Sequence, residues 1–283
     1  MNLLQTLAIT KYELLMQWRQ RAIPVLTLSL VALPIFFAFF IANELSSDST
    51  SLFAIPTPED KDLYAQSITA SVQIFAWAAI YLILVVMAPL VMSAIVPKDR
   101  QLGVRELLDG LPITPATYLN GKLLGAWLTT FTGLVIAMLL VMISWQVILE
   151  AVYLPAILSL WLLGGGAIIL LNTGLAVLLT AGQPTRKRAY AISVALAFVT
   201  LIFYTLANTS LTNINQYAWW EFLTPARAPL VQYFTFENMA TLAQNLPGTP
   251  FVEPIRAWQT FLVGLAELTL LWLFARKYVQ TRE

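Results

Sequence analysis

The sequence of 283 residues contains neither cysteine nor histidine. Without cysteine the chain cannot form disulfides, thiolate metal sites or a cysteine nucleophile. Without histidine it cannot form imidazole metal sites, the two-histidine motif of zinc proteases or a Ser-His dyad. Charged residues are also scarce, at 11% of the chain, and the net charge of +1 gives no indication of nucleic-acid binding. The sequence therefore predicts no catalytic or metal site of these kinds.

What the sequence has in excess is apolar residues, at 59% of the chain with a mean hydropathy of +0.74. This composition predicts an all-α polytopic membrane protein, with residues 1–283 forming one transmembrane domain. Runs long enough to cross about 30 Å of hydrocarbon at about 1.5 Å per residue predict six spans. The runs are Ala22–Ala42, Ser67–Val96, Tyr118–Leu149, Tyr153–Ala181, Ala189–Ala207 and Trp258–Ala275. The first is too long for the core of a signal peptide and lacks a cleavage pattern, so we interpret it as a retained span.

The basic residues orient these spans, because Lys and Arg concentrate in cytoplasmic loops. If the N-terminus is cytoplasmic, only Lys61, Arg227 and Arg256 of the sixteen basic residues lie outside. The sequence therefore predicts a multi-pass protein of the plasma membrane with both termini in the cytoplasm. The basic turn Gln183–Arg188 then lies inside, and Glu150 marks a tight outer turn.

A charged segment, residues 97–114, separates the second and third runs on the cytoplasmic side. Asp99 is predicted to cap a short helix that extends to Asp109 and ends at Gly110. Thr114 and Pro115 form a second start signal, with threonine as the cap and proline in the first helical position. This segment is either a solvated loop that fixes topology or a rigid docking element for a soluble partner.

The segment contains Arg105-Glu106-Leu107-Leu108, Leu111-Pro112-Ile113-Thr114 and Tyr118-Leu119-Asn120-Gly121-Lys122. This pattern is similar to the inner loop of ABC-2 type transporter permeases. The resemblance implies a coupling helix that contacts a separate ATPase subunit. It also implies an exporter in which this chain forms a homodimer or pairs with a related permease. The residues it assigns to ATPase coupling are Asp99, Arg100, Arg105, Glu106, Leu107 and Asp109.

The chain itself lacks a nucleotide-binding motif. Gly121-Lys122 is its only Gly-Lys pair, and Ala116 and Leu123 stand where a Walker A motif requires glycine and serine or threonine. We therefore expect no enzyme activity and no bound cofactor in this chain, with ATP and Mg²⁺ on the partner ATPase. The Gly121-x-x-x-Gly125 spacing predicts helix packing within the chain rather than a dimer face.

Two segments outside the apolar runs also carry predictions. Residues 1–21 include an amphipathic helix expected in the cytoplasmic interface. The resemblance implies a connecting helix beside the ATPase, and a simple surface anchor is the alternative. Its polar arc comprises Asn2, Thr6, Thr10, Glu13, Gln17 and Gln20. Residues 208–257 form an external loop that is rich in aromatics and interrupted by prolines, which predicts short interfacial or re-entrant helices, with a folded cap as the alternative.

Glu267 lies deep in the last apolar run, where an unpaired carboxylate is costly. It either lines a cavity for cargo or protons, together with Asn172, or is a neutral acid that hydrogen-bonds a neighbouring helix for packing, with Asn172 as one candidate partner. Two rival functions follow from these observations. One is a proton-coupled secondary transporter that uses Glu267, and the other is a non-transporting membrane anchor or assembly subunit. The sequence does not specify the transported substrate.

Overall fold

The computed structural model describes residues 3–46, 65, 68, 69, 72, 73, 76, 80, 82–104, 110, 112–150, 152–209 and 254–280. Within these ranges the regular secondary structure is helical, with short turns between the helices and no β-strand. The predicted all-α fold is therefore confirmed for the described part of the chain. Most of the segment 208–257, which is predicted to be external, lies outside it, so its short interfacial or re-entrant helices stay predictions.

Helices α1 (Leu3–Arg19) and α2 (Ala22–Ser46) open the chain. Helix α3 (83–93) begins with a π-helical turn at Ile83–Met87 and continues as Ala88–Ser93. Helix α4 (Ile95–Gln101) leads into the inner loop, and α5 (Pro115–Leu149) leads out of it. Helix α6 (154–180) contains two further π-helical segments, and α7 (Arg186–Thr209) and α8 (Pro254–Gln280) follow.

Three segments are long and apolar enough to cross a membrane: Ala22–Asn43 in α2, Pro115–Leu149 in α5 and Leu160–Thr180 in α6. They coincide with the first, third and fourth predicted runs. The fifth and sixth runs lie on α7 and α8, which are helical but do not meet the same criterion over the described residues. The second run lies partly outside the described residues. The structure thus supports three spans, and six remain a prediction.

Helix α5 is delimited by local signals that the sequence predicted. Thr114 has an extended backbone, and its Oγ1 accepts a hydrogen bond of 3.2 Å from the backbone N–H of Thr117. Pro115 occupies the first turn, and at the other end Glu150 adopts φ 52° and stops the helix. A helix of 35 residues is about 52 Å long, about 20 Å more than the hydrocarbon thickness. Part of α5 therefore extends into or beyond the interface.

Helices α1 and α2 lie along α5 and run in the same direction. Arg21, at φ 61°, separates them. The α1 residue Ile9 contacts Gly121 near the start of α5, whereas the α2 residue Leu26 lies beside Gly133 further along. The buried apolar side chains form two clusters, one containing Trp145 and Trp161 and the other containing Leu119 and Met92.

Candidate functional site: a buried ionic cluster

The start of α5 carries a lysine that binds two carboxylates from two other helices. Lys122 Nζ lies 2.5 Å from Glu13 Oε2 on α1 and 2.7 Å from Asp99 Oδ2 on α4. Lys122 is 2% exposed, and Glu13 and Asp99 are also buried. Three charged side chains from three helices therefore meet in a site that solvent does not reach.

Two neutral side chains complete the hydrogen bonding of this site. Tyr118 donates its hydroxyl to Asp99 Oδ2 at 2.8 Å, and Gln17 donates Nε2–H to Glu13 Oε1 at 2.6 Å. Gln17 lies one helical turn after Glu13, the residue to which it donates, whereas Tyr118 lies one turn before Lys122 on α5 and donates across to Asp99 on α4. We call Glu13, Asp99, Lys122, Tyr118 and Gln17 the ionic cluster.

Close contact between α1 and α5 makes the ionic cluster possible. A Cβ atom added at Gly121 would lie 2.6 Å from Ile9 Cβ, and one added at Gly125 would lie 2.7 Å from Glu13 Cβ. Only glycine permits this approach. Because the helices are this close, Thr10 Oγ1 can donate a hydrogen bond of 3.2 Å to the Gly121 carbonyl. The glycine pair therefore packs helices within the chain, as predicted.

The amphipathic helix α1 turns its polar side toward the protein. Its buried residues are the polar Thr6, Thr10, Glu13 and Gln17. Its apolar arc faces outward, with Leu3, Leu4, Leu7, Leu15 and Trp18 exposed. This arrangement suits a helix next to lipid, because the bilayer can take up the apolar arc while the protein satisfies the polar one.

The charges of the ionic cluster do not balance, since one ammonium serves two carboxylates. Desolvation costs several kcal/mol per buried ion, and ion pairing and hydrogen bonds offset that cost only when the geometry is good. Loss of one partner is severe, because it strands an uncompensated buried charge. The cluster thus binds α1, α4 and α5 to one another and joins both ends of the inner loop, residues 102–114.

The structure corrects the predicted role of Asp99. Helix α4 already begins at Ile95 after Ala94, so Asp99 lies inside the helix and does not cap it. Pro97 is tolerated because the first turn of a helix needs no partner for its N–H groups. The helix ends at Gln101, and Gly103 follows at φ 68°. Arg105, Glu106, Leu107 and Asp109 lie outside the described residues.

Arg100 connects α4 to the predicted basic turn. Its Nη1–H donates to the Gln183 carbonyl at 3.1 Å, immediately before the start of α7. Burial lowers the pKa of Lys98; Glu13 and Asp99 oppose this shift, whereas the guanidinium of Arg186 acts in the same direction as burial. These cations therefore lie within electrostatic reach of each other at the C-terminal end of α4 and the N-terminal end of α7.

Asn172 and Glu267 lie on neighbouring helices but do not form the predicted packing bond. Asn172 is 1% exposed in the π-helical turn Ile169–Thr173, and neither polar atom of its side chain has a hydrogen-bond partner. Glu267 is partly buried on α8, which contacts α6 where Gly264 meets Leu171. The proposed hydrogen bond between the two side chains is therefore absent. The role of Glu267 stays a prediction.

Sequence reasoning missed the ionic cluster itself. It considered Lys122 as part of the permease-like pattern and of a Gly-Lys pair, and it placed Glu13 on a polar arc without a partner. The available signal was the spacing of Thr6, Thr10, Glu13 and Gln17, which forms one stripe at helical period. The Gly121-x-x-x-Gly125 pair indicated a place on α5 where another helix can approach closely. Nothing in the sequence showed that the polar stripe of α1 packs there.

Within the described ranges no group of three or more acidic side chains could hold a metal ion. No protein-family model matches the chain, and no curated protein matches it.

Proposed function

We propose that this chain is the membrane-spanning permease subunit of an ATP-driven transporter of the ABC-2 type, acting as an exporter. It crosses the plasma membrane six times with both termini in the cytoplasm. A separate ATPase subunit binds ATP and Mg²⁺ and docks on the inner loop. Two copies of this chain, or this chain and a related permease, form the translocation path.

The observation that supports the proposal best is the position of the ionic cluster. It holds α4 and α5, the two helices that border the loop with the coupling-helix pattern, and adds α1 to the same unit. A solvated loop that fixed only topology would need no such buried link. A loop that receives force from a partner needs a stiff connection to the spans, and three desolvated charges in contact provide one.

In this mechanism the roles of the inner-loop residues divide. Arg105, Glu106, Leu107 and Asp109 contact the ATPase, whereas Asp99 lies buried against Lys122 and Tyr118. Closure of the ATPase subunits displaces the loop, and the ionic cluster carries this displacement to α5 and α1. The two halves of the transporter then tilt relative to each other as rigid bodies.

The experiment compares charge reversal at the two ends of the membrane domain. Glu106→Lys changes the inner loop, and Glu150→Lys, at the opposite end of α5, is the matched control. Each tagged chain is purified from its own cells in mild detergent. We expect the wild-type and Glu150→Lys chains to retain a soluble subunit with a Walker A motif that hydrolyses ATP. We expect Glu106→Lys to lose this subunit or its coupling, because docking contacts between ionised groups are strong and depend on charge.

Insertion of the variants is checked separately. A cysteine placed at Gln183 should stay unlabelled by an impermeant thiol reagent in sealed cells, and the absence of native cysteine leaves no background. Retention of a coupled ATPase by Glu106→Lys at the wild-type yield would overturn the docking assignment. Transport driven by a proton gradient without any ATPase subunit would favour a secondary transporter instead.

A further inference from the structure

Basic side chains from two helices gather at the cytoplasmic start of α7. Arg186, Lys187 and Arg188 form its first turn, and Lys98 and Arg100 reach the same place from α4, where Arg100 binds the Gln183 carbonyl. We call these five residues the basic cluster.

The positive charge of the basic cluster exceeds what the nearest carboxylates can neutralise, because the ionic cluster has only one negative charge left over after Lys122, and that charge acts on Lys98. Glu13 and Asp99 are both engaged by Lys122. Lys98, Arg186, Lys187 and Arg188 form no ion pair within the part of the chain that the structure describes. Arg186 also buries its Nε–H without an acceptor. Three cations in the first turn are further disfavoured by the positive end of the helix dipole. Each of these features would be relieved by an anion.

The surface next to the basic cluster indicates what kind of molecule carries that anion. An exposed stripe descends α7 from Lys187 through Ala191, Val194, Phe198 and Ile202, which are four or three residues apart. From Lys187 to Phe198 the distance along the axis is about 16 Å, close to half of the hydrocarbon thickness of about 30 Å. A charged end of α7 followed by an apolar surface matches the headgroup and acyl chains of a phospholipid in the cytoplasmic leaflet.

We propose that the basic cluster and the exposed stripe of α7 bind one anionic phospholipid, such as phosphatidylglycerol. Its phosphate contacts Arg186 and Lys187, since a guanidinium binds phosphate oxygens with two parallel hydrogen bonds. Its acyl chains lie against Val194, Phe198 and Ile202. A soluble phosphate lacks the apolar part, and an acidic protein surface would leave the stripe uncovered.

The test measures lipid retained by the purified full-length chain. The chain is reconstituted with equal amounts of phosphatidylglycerol and phosphatidylcholine, extracted in mild detergent and weighed by native mass spectrometry. Arg186→Gln/Lys187→Gln removes two cations of the basic cluster, and Lys11→Gln/Arg19→Gln removes two exposed cations of α1 as the matched control. Each basic side chain near an anionic leaflet strengthens binding about fivefold. The cluster variant lacks two of them, so its affinity for phosphatidylglycerol should be about thirtyfold lower.

We expect one phosphatidylglycerol per chain in the wild type and the control and none in the cluster variant. Correct insertion of both variants is confirmed when a cysteine at Gln183 stays unlabelled from outside. Equal loss in both variants would show diffuse charge attraction and overturn the proposal. Tight retention of inorganic phosphate without lipid would also overturn the proposal. The same holds if the cluster variant loses a lipid-free dimer, or a protein partner, while the bound lipid stays. None of these outcomes depends on the proposed transport function.

Discussion

The two halves of α5 are held by different chemistry. Along its first turns α1 contacts it through buried ions, a hydroxyl and glycines in close approach. Further along, α2 contacts it through apolar side chains and two hydrogen bonds to backbone carbonyls, from Thr27 to Gly133 at 3.3 Å and from Trp145 to Pro34 at 3.1 Å. Truncating a side chain in the apolar half costs packing energy. Removing Glu13, Asp99 or Lys122 from the ionic half also leaves a buried charge without a partner. The ionic half should therefore tolerate substitution least.

The largest effect is expected from Lys122→Met. This variant leaves Glu13 and Asp99 buried without a cation, and loss of one partner of a buried pair costs about 3–5 kcal/mol. The free energy of unfolding in detergent should fall by that amount. Lys11→Met, which removes an exposed cation of α1, should stay within about 0.5 kcal/mol of the wild type.

A triple variant separates charge from shape at the same place. Glu13→Gln/Asp99→Asn/Lys122→Met removes every charge of the ionic cluster, and replacing a whole buried ionic group by neutral residues is often neutral or stabilising. We expect it to recover most of the stability lost in Lys122→Met. If the single variant is as stable as the wild type, the three charges do not hold the helices together.

A smaller effect distinguishes the two halves by their glycines. Alanine at Gly121 or Gly125 would place Cβ 2.6–2.7 Å from Ile9 or Glu13, so overpacking should cost about 1–3 kcal/mol. Alanine at Gly133 meets its nearest neighbour at an ordinary 3.5 Å, and helix propensity favours it by about 1 kcal/mol. Thermal unfolding should show a lower midpoint for the first two variants and an unchanged or higher one for Gly133→Ala. Equal behaviour of all three would remove the distinction between the halves.

Local signals predicted much of the fold and little of the site. The apolar runs located α2, α5 and α6, and Thr114-Pro115 located the start of α5, because length, hydropathy and capping act over a few residues. Asp99 has an equally good capping side chain, yet it lies within α4. Its binding to Lys122 and Tyr118 is tertiary, and a capping rule contains no information about it.

Helix α1 shows a second limit of sequence reasoning. Its amphipathic pattern predicted a helix correctly but did not say which arc faces the protein. In water the apolar arc would be buried, whereas lipid accepts it and leaves the polar arc to the protein. Glu13 and Lys122 are 109 residues apart, so neither their pairing nor the ionic cluster could be derived from spacing.

The proposed mechanism requires that α1, α4 and α5 move as one unit when the inner loop is displaced. The most direct test places nitroxide labels on cysteines at the exposed positions Leu4 of α1 and Leu139 of α5, in a chain with no native cysteine. The distance between the labels is measured by pulsed electron paramagnetic resonance on the complex with the proposed ATPase, with and without ATP. We expect one narrow distance that ATP does not change, and a broadened distribution of distances in Lys122→Gln. A distance that shifts with ATP while Lys122 is intact would contradict it.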